Sequence, residues 1–273
     1  RRHHSSGGQG LKVILSIAKT TFAEAIRRKV LFIIFLIGLT FVGIAPGLSV
    51  LSARQERTVL VGFTLGIIQL TSALIAIVLT VYLIPNEIER RTIYTILSKP
   101  VRRVQFFVGK YLGAVAALGM MMAAMTALLI LVFAWQQRET SIAQLAPLAK
   151  APVLYFIQMS LLAAVAMCFS AMVQPIVNFF LSGGVYLVGT LFGTVFQTLQ
   201  ENQGTHPATK AFATFVMSIL PNFNRFNVQN PIINPNAQIG NEAAYYLSST
   251  AYGLAYIAVL LIIGMIAFDR REF

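Results

Sequence analysis

Glu87, Glu89, Arg90 and Arg91 crowd the start of the segment from Pro85 to Gly113, PNEIERRTIYTILSKPVRRVQFFVGKYLG, which interrupts runs with almost no charge. Acidic residues ahead of basic ones suit the first turns of a helix, where Asn86 can cap the end with Glu89 three residues on and Glu87 faces Arg90 and Arg91 across one turn. Ile88, Thr92 and Ile96 share a strip with Ile93 and Leu97 beside it, and Ser98-Lys99-Pro100 ends the pattern. An apolar ridge flanked by charge is suited to docking in a groove on another protein. A re-entry loop resting on anionic lipid would account for Arg102, Arg103 and Lys110. It would not account for Glu87 and Glu89, which such a surface repels. Docking is therefore expected through Glu87, Ile88, Glu89, Arg90, Arg91, Thr92, Ile93, Tyr94, Ile96, Leu97, Ser98, Lys99 and Pro100.

A second set of polar residues is neutral and embedded in apolar sequence: Gln69, Ser72, Gln158, Asn178 and Ser182. They can line a path for an amphiphilic cargo, or they can join helices to one another through hydrogen bonds. Phe63, Tyr82, Phe179 and Tyr186 carry the same two readings, as stacking surface or as packing and interfacial anchors.

Other chemistry lacks its residues. No G-x-x-x-x-G-K-[ST] loop occurs, since Val108-Gly109-Lys110 is followed by Tyr111, so the chain is not expected to cradle ATP phosphates. No H-E-x-x-H pattern, paired intramembrane carboxylates or serine with a histidine partner appears, and no catalytic residue is expected. Cys168 is the one cysteine, and His206 stands apart from His3 and His4, so no metal site is expected. Met120-Met121-Met122 with Met125 scatters around a helix and reads as core packing rather than a copper site.

The setting is a membrane: 57% of residues are hydrophobic, 11% are charged and the mean hydropathy is +0.74, where a soluble domain carries about 25% charge. Apolar runs give six expected spans, at about 30–50, 59–84, 106–135, 152–173, 176–199 and 243–268. Gln174 and Pro175 separate the fourth and fifth as a tight hairpin. The spans hold no Asp, Glu, Lys, Arg or His once Lys110 is placed at the interface, which disfavours a proton-coupled carrier. A secondary transporter, or a scaffold that transports nothing, is the alternative reading.

Six spans put both termini on one side. With the N-terminus inside, thirteen Lys and Arg residues of the inner segments face six of the outer ones, Arg54, Arg57, Arg138, Lys150, Lys210 and Arg225. Both termini are therefore expected in the cytoplasm. The net charge of +12 reflects this topology rather than nucleic-acid binding. Residues 1–10 read as a tag or linker remnant, and 11–273 as one membrane domain. Leu11 to Arg28 is an expected interfacial helix, with Leu11, Ile14, Leu15, Ala18, Phe22, Ala25 and Ile26 opposite Lys12, Lys19, Arg27 and Arg28. Between the last two spans a short helix is expected over Lys210 to Leu220, dipping into the outer leaflet, with an ordered loop after Pro221. Among the Gly-x-x-x-Gly patterns, Gly189 with Gly193 is the expected helix contact, ahead of Gly62/Gly66 and Gly109/Gly113.

Glu87-Ile88-Glu89, Arg91-Thr92-Ile93, Leu97-Ser98-Lys99-Pro100-Val101 and Gly109-Lys110-Tyr111-Leu112-Gly113 resemble the cytoplasmic signature of ABC-2 type transporter permeases, and the likeness extends over Leu11 to Phe273. The resemblance implies an all-α polytopic permease and an ATP-driven exporter. It makes Glu87 to Pro100 the coupling helix that fits a cleft on a separate ATPase subunit. It also implies two such ATPase copies, which bind the ATP and Mg, and a second permease, identical or homologous, in the cell membrane. Many members have glycine where this chain has Arg91. Family cargoes include lipids, glycans, peptides and drugs.

Overall fold

A computed structural model describes residues 6–50, 56–85, 102–138, 142–201, 206–227 and 241–270. The regular elements among them are all helical: α1 (Ser6–Arg27), α2 (Lys29–Val50), α3 (Glu56–Val81), α4 (Arg103–Gln137), α5 (Ile142–Ser170), α6 (Pro175–Glu201), α7 (Pro207–Ile219), a 3-10 turn η1 (Phe223–Phe226) and α8 (Glu242–Asp269). Five helices contain stretches long and apolar enough to cross a membrane, at Lys29–Leu48, Thr58–Val81, Arg103–Gln136, Pro147–Ser170 and Glu242–Asp269. α6 adds a further apolar stretch, described over Pro175–Leu191.

The bundle is built around α5 and α3, where 78% and 67% of the most apolar window is buried, against 22% in α2 and α8. α5 packs on α3, α4, α6 and α8, so the expected fourth span is the core of the fold. It begins ten residues before the expected Pro152 and runs through Pro147 and Pro152. Each proline deletes one backbone donor without ending the helix, since the remaining ladder and the packed faces hold it. The hairpin at Gln174 is present: α5 stops at Ser170 and Pro175 opens α6, where its missing N–H removes no intrahelical bond.

α4 is long, 35 residues, and at 1.5 Å per residue rises about 52 Å, well beyond the ~30 Å of hydrocarbon. Its first turns therefore have surface to spare, and α1 lies along them. A Cβ on Gly109 would fall 2.9 Å from Cβ of Ile17, and one on Gly113 would fall 2.5 Å from the Ala18 carbonyl oxygen. Close packing thus occurs at Gly109 and Gly113 as well as at Gly189. Gly109 and Gly113 make the close helix contact, Gly66 meets nothing within 4 Å, and Gly189 faces the Phe223 ring of η1.

α1 begins at Ser6, five residues before the expected start. Its apolar stripe is divided. Thr21 and Ala25 are buried and Ile17 and Phe22 partly so, whereas Leu11 and Leu15 face outward at 59% and 57% exposure. Lys110 is buried beside α1, with its Nζ 3.7 Å from Glu24 Oε2 and 5.7 Å from the Phe106 ring centre. At this same end Arg103 donates to the Asp269 carbonyl at 3.1 Å, and Phe268 packs on Phe106 and Phe107. The start of α4 and the finish of α8 therefore lie at one level. Lys150 and Glu242, 2.7 Å apart, tie the starts of α5 and α8 at the opposite end.

Candidate functional site

The proposed docking segment, Glu87 to Pro100, lies outside the described residues. Its flanks are described: α3 runs down to Val81, Leu83 and Ile84 are buried, and the chain resumes at Arg102, whose N–H is accepted by Gln105 Oε1 at 3.2 Å. The segment thus leaves and re-enters at the end that carries α1, Lys110, Arg103 and Asp269.

The neutral polar residues fall into two clusters on the α5 core. In the first, Asn178 donates to the Ala166 carbonyl at 2.8 Å and accepts from the Ser182 hydroxyl at 2.8 Å. All three residues come from the α5–α6 hairpin, and Asn178 and Ser182 are fully buried. In the second, Gln69 Nε2 on α3 donates to Gln158 Oε1 on α5 at 3.1 Å, and Gln158 Nε2 donates to the Phe223 carbonyl at 3.2 Å. Ser72, one turn along α3 from Gln69, is buried, and its Oγ has no hydrogen-bond partner among the described residues.

The carbonyl of Phe223 belongs to a feature the sequence reading only sketched. A helix is present at Pro207–Ile219, three residues ahead of the expected start. Beyond Pro221 the chain does more than rest over the bundle: η1 inserts between α5, α6 and α8, with Phe223 and Phe226 at 0% exposure. Phe223 packs edge-on to Tyr186 and over Gly189, and Phe226 meets Gly253 and Tyr252. The polar atoms of this plug are met by α8. The Asn222 N–H donates to the Tyr252 hydroxyl at 3.0 Å, and the Arg225 carbonyl accepts from Tyr245 at 2.6 Å and Ser249 at 3.3 Å. The Arg225 guanidinium lies 5.0 Å from the Tyr252 ring centre.

None of Tyr245, Ser249, Tyr252, Phe223 or Arg225 was singled out from the sequence as a plug contact. A signal existed, because Tyr245, Ser249, Tyr252 and Tyr256 are spaced four, three and four apart and share one face of a helix. Among the aromatic candidates, Tyr186 joins the plug, Phe179 stacks edge-on with Phe180, and Tyr82 is exposed. Met121, Met122 and Met125 are buried as core packing, and Met120 faces outward. Among the described residues no group of three or more His, Cys, Asp or Glu stands close enough to hold a metal.

Between α4 and α5 an apolar groove of about 450 Å³ is lined by Gly119, Met122, Thr126, Ile130, Val153 and Phe156, among others. Its walls can receive an acyl chain or a flat apolar group and offer almost nothing to a hydrophilic one.

Residues 15–273 match the family described as ABC-2 family transporter protein. The chain belongs to the ABC-2 transporter family. No curated protein matches it. As an ABC-2 family member it is a membrane transport component, a permease by family, and its apolar helices are those of a transmembrane protein.

Proposed function

We propose that this ABC-2 protein is the membrane-spanning subunit of an exporter powered by a separate ATPase, which docks on Glu87 to Pro100. The supporting observation is positional: the segment joins α3 to α4 at the bundle end where α1, Lys110, Arg103 and Asp269 gather. By the positive-inside rule this end faces the cytoplasm, with both termini, in the cell membrane. ATP and Mg belong to the ATPase, present in two copies. A second permease, identical or homologous, completes the path.

The cargo is a hydrophobic or amphiphilic molecule of the lipid, glycan, peptide or drug-like class. The apolar groove beside α4 and α5 and the absence of charged side chains deep in the described spans both suit such a molecule. Gln69, Ser72, Gln158, Asn178 and Ser182 would supply the path's polar contacts as the helices separate.

The test is co-purification with the ATPase and reconstitution in liposomes. Glu87→Lys, Glu89→Lys and Ile93→Trp should leave insertion intact and abolish stimulation of ATP hydrolysis by the permease. Full stimulation in all three variants would show that docking lies elsewhere. Transport by the chain alone under an ion gradient would favour a secondary carrier instead.

A further inference from the structure

The Gln69–Gln158–Phe223 chain crosses three separate parts of the molecule, and its direction is fixed. A backbone carbonyl only accepts, so the Gln158 group facing Phe223 must be its Nε2. Oε1 of Gln158 then points to Gln69, which must donate. With Gln158 at 0% exposure, water is not at hand to replace either bond.

From this geometry we infer that Gln158 is a positioning residue that makes the seat of the plug depend on the position of α3. The plug is held on two sides. On one side α8 holds Asn222 and Arg225 through Tyr252, Tyr245 and Ser249. On the other, Gln158 holds the Phe223 carbonyl and is itself oriented by Gln69. Twelve residues separate Gln69 from Val81, the end of α3, a rise of about 18 Å along a stiff helix. The chain then enters the segment 86–101. A shift of α3 along its axis withdraws the Gln69 donor, frees Gln158 to turn, and loosens the plug on the α5 side while α8 still holds it. The element with two arrangements is the plug, seated by both sides or by α8 alone.

The bond chain can be tested without any ATPase, whereas its use in transport rests on the function proposed above. Hydrogen–deuterium exchange is read at the amides of Asn224 and Asn227, which close the plug onto Asn222 Oδ1 and the Asn224 carbonyl. For the full chain in lipid nanodiscs, Gln69→Met keeps the side-chain length but removes the donor that orients Gln158, so the Gln158–Phe223 bond is weakened rather than lost. It should speed exchange about threefold, and Gln158→Met about tenfold, the range that single intramembrane hydrogen bonds span. The double variant should match Gln158→Met alone, because Gln69 acts only through Gln158.

Exchange unmoved by Gln69→Met, or effects that add in the double variant, would overturn the inference. Should Gln158→Met not fold, Gln69→Glu carries the test. Its carboxyl can donate only when protonated, so exchange corrected for the intrinsic rate should approach wild type in acid and rise with pH, and a flat profile would overturn the relay. In the complex with the ATPase, ATP should change plug exchange in the wild type and not in Gln69→Met, with ATP binding to the ATPase subunit measured in both. If ATP leaves the wild-type plug unchanged while the nanodisc results hold, the transport role fails and the bond chain stands.

Discussion

The two ends of the bundle solve the same problem, holding a non-spanning segment against the spans, by opposite means. At the basic end α1 is held by removal of side chains: Gly109 and Gly113 let two backbones approach, and Lys110 with Glu24 adds a partly exposed ion pair. At the far end η1 is held by insertion of side chains: Phe223 and Phe226 fill space between helices while Gln158, Tyr245, Ser249 and Tyr252 meet its backbone. A contact made by close backbones tolerates no added atoms. One made by buried rings tolerates no lost atoms, and the polar backbone it carries must find partners inside the bundle.

That contrast can be broken most forcefully at the plug. Phe223→Ala should destabilise the protein by about 3–5 kcal/mol, the usual cost of emptying a buried aromatic site, seen as a lower unfolding midpoint in detergent. A loss below ~1 kcal/mol would mean the ring is not part of the core. At the other end, Gly113→Val should cost about 1–3 kcal/mol and expose α1 to protease, since even a Cβ there comes within 2.6 Å of Thr21 Cβ. Gly66→Val is the matching control. Nothing lies within 4 Å of its Cβ position, so its midpoint should stay close to wild type, and equal loss in the two variants would remove the distinction between them. Asn178→Leu, which strips the α5–α6 hairpin of its buried bonds, should lower stability by about 1–2 kcal/mol. The smallest effect is expected for Glu24→Gln, under about 1 kcal/mol because Glu24 is half exposed. That effect should shrink further in high salt, and salt-independence would show that the pair does not act through charge.

The hairpin at Gln174 was legible because Pro175 can begin a helix but not continue one, whereas the burial of Lys110 beside Glu24 was not, because the sequence does not say which anion a buried lysine will meet. The pairing of α1 with Gly109 and Gly113 was not legible either. A glycine pattern records that an approach is possible but not what approaches, and several such patterns competed. The polar residues were found in sequence as a set, yet only the fold sorts them into an Asn178–Ser182 clamp and a Gln69–Gln158 pair, because 89 residues separate the two glutamines. In sequence the plug reads as no more than an ordered loop after Pro221, since Asn-Phe-Asn-Arg-Phe-Asn is as polar as a solvated loop by composition. Only the fold shows where its backbone groups are satisfied, by Tyr245, Ser249 and Tyr252 on α8 and by Gln158 on α5.

The sequence by itself determined that this is a helical membrane protein with several helices apolar enough to span, that a charged stretch separates α3 from α4, and that the ABC-2 pattern covers nearly all of it. Those properties are local: hydropathy, charge and helix-stopping residues act over a turn or a span. The tertiary structure decided that α5 is the core, that α1 rides on α4, and that η1 is buried with Gln158 beneath it. Each of those depends on which faces meet, a choice made by shape and by the need to pair every buried polar atom across long stretches of chain.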